Sequence, residues 1–308
     1  MRKAFIKALG EIVAKDKNVM LLTGDLGFSV FEEFAANFPD QYLNCGVAEQ
    51  NMVGVAAGLA LSGKKIFVYS IIPFATMRPF EQIRNDVCMH NLNVKIIGVG
   101  GGYSYGHLGT THHPIEDIAI MKVLPNMKVF VPADPTETEF VVQAVAKDSG
   151  PAYIRLGKSK EENLHNAPFD MKIGKANVLR EGDTLTIIGA GPILRNAIQA
   201  ADILDKSNIS CRVVSLITVK PLDKEQVIKS AKIGPVVTIE EHSVIGGIGD
   251  SVAAVLAEEN LNNGFKKMGV EDRFMTIVGD QDYLRAENKL SPEQLAASIS
   301  DFYKKRLQ

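Results

Sequence analysis

Short apolar runs rich in valine and isoleucine recur along the chain, each followed by a stretch whose apolar residues return at helical intervals. In the first half these runs are Val19 to Leu22, Lys65 to Tyr69, Val94 to Val99, Val129 to Val131 and Ala152 to Leu156. Runs without polar alternation suit strands covered on both faces, and their alternation with helical segments predicts a parallel sheet wrapped by helices. Between Gly157 and Lys175 the periodicity lapses into a polar linker with Lys158, Lys160, Glu161, Glu162, Asn163 and Asn166. The alternation resumes with Leu185 to Ile188, Arg212 to Leu216 and Pro235 to Ile239. The pattern predicts an α/β protein of two doubly wound domains, residues 1–165 and 166–308, each a mostly parallel sheet flanked by helices. Two helix starts stand out. Asp134-Pro135-Thr136-Glu137 and Ser291-Pro292-Glu293-Gln294 each offer a capping acceptor, a proline at the first helical position and a carboxylate in the first turn.

Composition narrows the partners. With 308 residues, 46% of them apolar and 23% charged, the chain can bury two cores and lacks the bias of disorder. Its net charge of −2 gives no positive field for a nucleic acid or an anionic membrane. The start, Met-Arg-Lys, is like that of a signal peptide, but Lys7, Glu11, Lys15 and Asp16 interrupt the apolar residues after it, and no run reaches the roughly 18 apolar residues of a membrane span. Cys45, Cys88 and Cys211 are odd in number and far apart, which argues against a disulfide framework, a zinc site or a dithiol pair. A soluble, cytoplasmic protein with reduced thiols is expected.

Two segments carry candidate chemistry. Gly46-Val47-Ala48-Glu49-Gln50-Asn51-Met52 follows a strand-like Tyr42 to Asn44 and opens a helix rich in glycine and alanine. Glu49 could simply meet the positive end of the helix dipole, but so apolar a helix belongs at an interface, and a carboxylate at its rim needs a partner. The second segment runs from Gly106 to Asp117 and holds His107, His112 and His113 in a glycine-rich loop beyond the strand ending near Val99. Loops at the carboxyl ends of parallel strands form the crevice where such folds bind ligands. Irregular spacing and the lack of a local cysteine leave these histidines as proton carriers or surface residues, with zinc the weakest reading. Two glycine motifs are less telling. Gly189-Ala190-Gly191-Pro192 has Leu194 where a dinucleotide fingerprint needs its third glycine, and reads as a tight turn; Gly246-Gly247-Ile248-Gly249-Asp250 could cradle an anion or let a helix pack closely.

Over nearly its whole length the sequence resembles the pyrimidine-binding and carboxyl-terminal domains of transketolases. Gly46 to Met52 is similar to the family's G-I-x-E-x-x-M motif, and Gly106 to Glu116 to its G-x-x-G-x-T-H-x-P-x-E motif. The resemblance implies that Glu49 hydrogen-bonds the aminopyrimidine of thiamine diphosphate and promotes the tautomer that serves as internal base. It also implies that Phe74, with Ile72 beside it, forms the apolar wall for that ring, and that His112 handles substrate hydroxyl protons, His107 and His113 having weaker claims. Arg2, Ser29 and Arg155 fall where the family binds substrate phosphate, and Asp25 near the cofactor.

Departures from the pattern matter too. His107 and Leu108 replace an acidic pair, and Gly100 stands where a histidine is expected, which suggests an unusual sugar. No Gly-Asp-Gly occurs, so the diphosphate and its magnesium are expected on an amino-terminal partner subunit, with two copies of each chain in the active assembly and the helix after Glu49 as the association surface. The implied activity is transfer of a two-carbon ketol unit from a ketose, as sugar or sugar phosphate, to an aldose. Rival readings are the β subunit of a 2-oxoacid dehydrogenase, a deoxyxylulose-phosphate-synthase-like enzyme, and a catalytically silent regulatory partner.

Overall fold

The computed structural model describes residues 1–27, 30–158, 161–165 and 171–307. The first sheet is built from β1 (Val19–Thr23), β2 (Tyr42–Asn44), β3 (Lys65–Ile71), β4 (Val94–Val99), β5 (Lys128–Phe130) and β6 (Ala152–Leu156). Around it lie α1 (Arg2–Val13), α2 (Glu32–Asn37), α3 (Glu49–Leu61), the short α4 (Phe80–Gln82), α5 (Asp117–Val123) and α6 (Pro135–Lys147). The second sheet holds β7 (Asn177–Arg180), β8 (Leu185–Ala190), β9 (Cys211–Ser215), β11 (Val236–Ser243) and β12 (Phe265–Val270), with α7 (Leu194–Asp205), α8 (Lys224–Ile233), α9 (Ile248–Glu258), α10 (Gln281–Glu287) and α11 (Pro292–Leu307). Strand β10 (Thr218–Lys220) leaves the second half of the chain and joins the first sheet.

The strand orders are β10-β5-β6-β4-β3-β1-β2 and β12-β11-β8-β9-β7. All pairings are parallel except β10 on β5 and β7 on β9. Two mostly parallel sheets flanked by helices are thus what the pattern predicts, because β3, β4, β6 and β8 are buried almost throughout and need helices on both faces. The insertion of β10 was not foreseen: it carries a strand of the later residues across the expected boundary near residue 165. One buried cluster joins Val68 and Ile96 of the first sheet to Ile188, Val214 and Val252 of the second half, so the halves share a core.

Local signals set the helix ends. Asp134 accepts the Glu137 amide at 2.7 Å to start α6, and Ser291 and Gln294 cap one another reciprocally at the head of α11. The Gly189-Ala190-Gly191-Pro192 motif is a tight turn: Gly191 has φ +80°, the Leu194 amide donates to its carbonyl at 3.1 Å, and a Cβ on Gly189 would lie 2.8 Å from Leu194. The second glycine motif does cradle an anion, and the anion is internal. The amides of Ile248 and Gly249 donate to the Glu240 carboxylate at 2.8 and 3.0 Å, and a Cβ on Gly247 would collide with that carboxylate. Among the described residues no helix is long and apolar enough to cross a membrane.

Candidate active site

In the first sheet the chain passes from β1 to β2 on one side and then returns to β3 on the other, and beyond the carboxyl ends of strands at such a reversal α/β sheets form their ligand crevice. Glu49, the first residue of α3, reaches into that crevice with 1% of its surface exposed. One carboxylate oxygen accepts from the Ser70 hydroxyl at 3.1 Å; the other accepts from Nη1 of Arg78 at 2.5 Å. Gly24, just past β1, makes room: a Cβ there would sit 3.3 Å from Glu49 Cγ and Oε1. The turn into α3 is pinned by Asn44, whose side chain accepts from the amides of Asp25 and Gly46, both at 3.0 Å, and donates to the Asp25 carboxylate at 2.9 Å. Asp25, held at φ 56°, is exposed at the rim and shapes the approach to Glu49 through Asn44.

After β3 the chain makes a widened helical turn, Pro73–Met77, closed by the Arg78 amide donating to the Pro73 carbonyl five residues back. Such π-type turns recur at functional sites. This one presents Phe74, half-buried, under the guanidinium of Arg78 at 4.5 Å from the ring centroid. His112 meets the same ring edge-on, with centroids 5.2 Å apart. Glu49, Arg78, Phe74 and His112 therefore form one continuous contact path, which unites the two segments singled out in the sequence. His112 is partly buried, and that burial pushes its pKa below the ordinary value, so near neutral pH the ring is uncharged and able to accept a proton. Its Nδ1 is 3.0 Å from the Thr111 hydroxyl.

Other expected residues lie elsewhere. Ile72 is fully buried and turned inward toward Gly98, where a Cβ would fall 2.6 Å from its Cγ1, so it backs the Phe74 turn without lining the crevice. Arg155 does not fit its expected role of anion ligand. Its side chain is 4% exposed and spent on the Asp117 carboxylate at 2.9 Å and on the carbonyls of Pro114 and Glu241, both at 3.0 Å. His113 is a core residue packed edge-on against Tyr103, with Nε2 at 3.1 Å from the Gly106 carbonyl. His107 is exposed on the loop. Arg2, half-buried, donates to the Lys158 carbonyl at 2.6 Å, and Lys158 reaches over the ring of Tyr105, itself 6.4 Å from the His112 ring. A basic margin of Arg2 and Lys158 thus flanks the histidine loop. Ser29 lies outside the described residues.

Sequence reading missed Ser70, Arg78 and Lys158. Nothing in a single sequence separates Arg78 or Lys158 from ordinary surface charge; Arg78 becomes a partner of Glu49 only because the wide turn after β3 aims it back across Phe74. It missed as well that the second domain holds the histidine loop: the Thr110 hydroxyl donates to the Met275 carbonyl at 2.7 Å, and Gly106 abuts Gly279 so closely that a Cβ would fall 2.3 Å from its carbonyl oxygen.

The groups an aminopyrimidine would meet are present, a buried carboxylate and an aromatic ring, with Gly24 admitting the Glu49 side chain close against the end of β1. Among the described residues no group of three or more His, Cys, Asp or Glu side chains is placed to hold a metal ion. Residues 1–162 match the family described as transketolase, pyrimidine binding domain, and residues 174–295 match the transketolase C-terminal domain. A protein described as a transketolase C-terminal section from Methanocaldococcus jannaschii is 40% identical, covering 99% of this chain and 96% of its own length. An apulose-4-phosphate transketolase subunit of Phocaeicola vulgatus is 37% identical over 99% of this chain and 97% of its own. A 6-deoxy-6-sulfo-D-fructose transketolase subunit of Clostridium sp. is 36% identical, covering 98% and 94%. Among solved structures, one described as a split gene transketolase, inactive beta4 tetramer, superposes with TM-score 0.88 at 40% identity over 98% of this chain and 97% of that one. The transketolase of Campylobacter jejuni shares the fold, with TM-score 0.80 at 21% identity, and this chain covers 46% of it. Matched along both of its halves by the family's domains and end to end by such relatives, the chain belongs to the transketolase family and corresponds to the carboxyl-terminal subunit of its split members.

Proposed function

We propose that this chain is the carboxyl-terminal subunit of a thiamine-diphosphate-dependent transketolase that moves a two-carbon ketol unit from a ketose to an aldose. The observation that carries the reading is the contact path from buried Glu49 through Arg78 and Phe74 to His112. When bound, thiamine diphosphate supplies the electron sink for breaking and forming the carbon–carbon bond. Glu49 would hold a proton at the ring nitrogen of the aminopyrimidine, with the Ser70 hydroxyl fixing its other oxygen. Phe74 would stack on the pyrimidine, and Gly24 leaves Glu49 free to reach it. His112, uncharged near neutral pH, would accept and return hydroxyl protons of the sugar. Arg2 and Lys158, with Ser29, would meet an anionic group at the far end of the substrate.

In this reading the diphosphate and Mg²⁺ are held by an amino-terminal partner subunit, and the assembly contains two copies of each chain in the cytoplasm. The split relative described as a beta4 tetramer supports self-association, and the apolar α3, with Gly54 and Gly58 open at its surface, offers a face for it. Relatives named for apulose 4-phosphate and 6-deoxy-6-sulfo-D-fructose support an unusual anionic donor. The test is turnover of a panel of anionic ketoses by this chain mixed with its amino-terminal partner, thiamine diphosphate and magnesium. Activity should require the mixture and fall by at least about 10²-fold on Glu49→Gln. Activity of this chain alone would overturn the two-subunit reading, and a mixture inert on every ketose would overturn the transketolase activity.

A further inference from the structure

We propose that Arg78 is a latch: its guanidinium takes the two surfaces an aminopyrimidine would use and must swing out for thiamine diphosphate to bind. The inference rests on the functional reading above and adds a residue and a conformational step to it. A ring lodged in this crevice needs a donor to Glu49 and a face against Phe74. The guanidinium of Arg78 already makes both contacts, 2.5 Å from Glu49 Oε2 and 4.5 Å above the Phe74 centroid. It is planar, as an aminopyrimidine is, and presents N–H groups at its edge, so it satisfies the same two surfaces by the same physics. Two flat groups cannot stack on the same face of Phe74 at such a separation, so one must leave.

Exposure decides which one moves. Glu49 is 1% exposed and fixed at the head of α3, whereas the Arg78 side chain is 41% exposed and has solvent beside it. The latch also has a reason to exist. Without it the buried carboxylate would keep one described partner, the Ser70 hydroxyl, and a buried charge with too few partners destabilises the fold. Arg78 therefore stabilises the fold around Glu49 and competes with the cofactor, so its removal should shift the two properties in opposite directions.

The experiment is calorimetric titration of thiamine diphosphate, with magnesium, into the complex of this chain with its amino-terminal partner, comparing wild type, Arg78→Met and Arg78→Lys, alongside thermal melts of each chain alone. The latch predicts roughly tenfold tighter binding by Arg78→Met, the size of one lost charge-assisted hydrogen bond. It also predicts a lower melting temperature for the empty variant. Arg78→Lys keeps the charge without the plane and should fall between on both counts; it serves as the binding test if Arg78→Met does not fold. Weaker or unchanged binding with Met or Lys at position 78 overturns the latch and leaves the transketolase reading standing. Failure of every form, wild type included, to bind thiamine diphosphate overturns both.

Discussion

Asp117→Asn is the substitution that best separates a structural from a substrate-binding role for Arg155. Asp117 is fully buried, and its Oδ2 takes the Tyr153 hydroxyl at 2.6 Å and Arg155 Nε at 2.9 Å, while Oδ1 has no hydrogen-bond partner among the described residues. The Asn amide can still accept from both donors, so geometry is retained while the counter-charge is lost. The Glu241 carboxylate cannot take its place, being held by Arg285 at 2.6 and 2.9 Å and by the Tyr103 amide at 2.7 Å. Arg155 is then a buried cation facing two carbonyls, and breaking a buried pair in this way costs about 3–5 kcal/mol. At about 2 °C per kcal/mol for a chain of this size, the melting temperature should fall by roughly 6–10 °C. Adding Arg155→Met to Asp117→Asn removes the orphaned charge and should recover most of that loss. The assay is thermal unfolding of the four chains of this cycle, with KM for an anionic ketose measured on the assembled enzyme. If Asp117→Asn leaves stability unchanged, or if Arg155→Met raises KM while the melt is unaffected, the internal assignment of Arg155 is refuted.

Two further outcomes rest on buried groups behind the site. His242 is fully buried with Nε2 accepting the Ala119 amide at 3.3 Å, and burial pushes its pKa down to about 4. Because the folded value lies below the ordinary 6.5, its contribution is complete above pH 6.5 and is lost as pH falls toward 4. The loss is on the order of 3 kcal/mol, so urea midpoints of wild type should drop across that window more steeply than those of His242→Gln. Gly98→Ala places a Cβ 2.6 Å from Ile72 Cγ1 and 3.0 Å from the Tyr153 ring. It should cost about 1–3 kcal/mol by overpacking and, by pushing Ile72 and the Phe74 turn, weaken thiamine diphosphate binding; calorimetry showing unaltered affinity would refute the backing role of Ile72.

Continuous Val/Ile runs between helical periods were enough to give eight strands, the two-sheet plan and the helix starts at Asp134 and Ser291, because burial on both faces leaves a local imprint. The strands that escaped notice, β7, β10 and β12, are short or half-exposed edges without such runs, and β10 belongs to a sheet built from residues far earlier in the chain. The segments holding Glu49 and His112 carry ordered motifs, and the fold brings both residues to Phe74, Glu49 by way of Arg78. The burial of Arg155 and Ile72 was not legible, because exposure and direction are set by neighbours that a linear reading does not contain: Asp117 and Glu241 enclose the arginine, and the missing side chain of Gly98 lets the isoleucine turn inward. The pairing of Arg78 with Glu49 likewise belongs to tertiary structure alone. The sequence by itself thus determined which residues could do chemistry and which segments would be buried. The fold decided which charges meet, since a contact between residues 29 positions apart depends on strand order and on the angle of one widened turn.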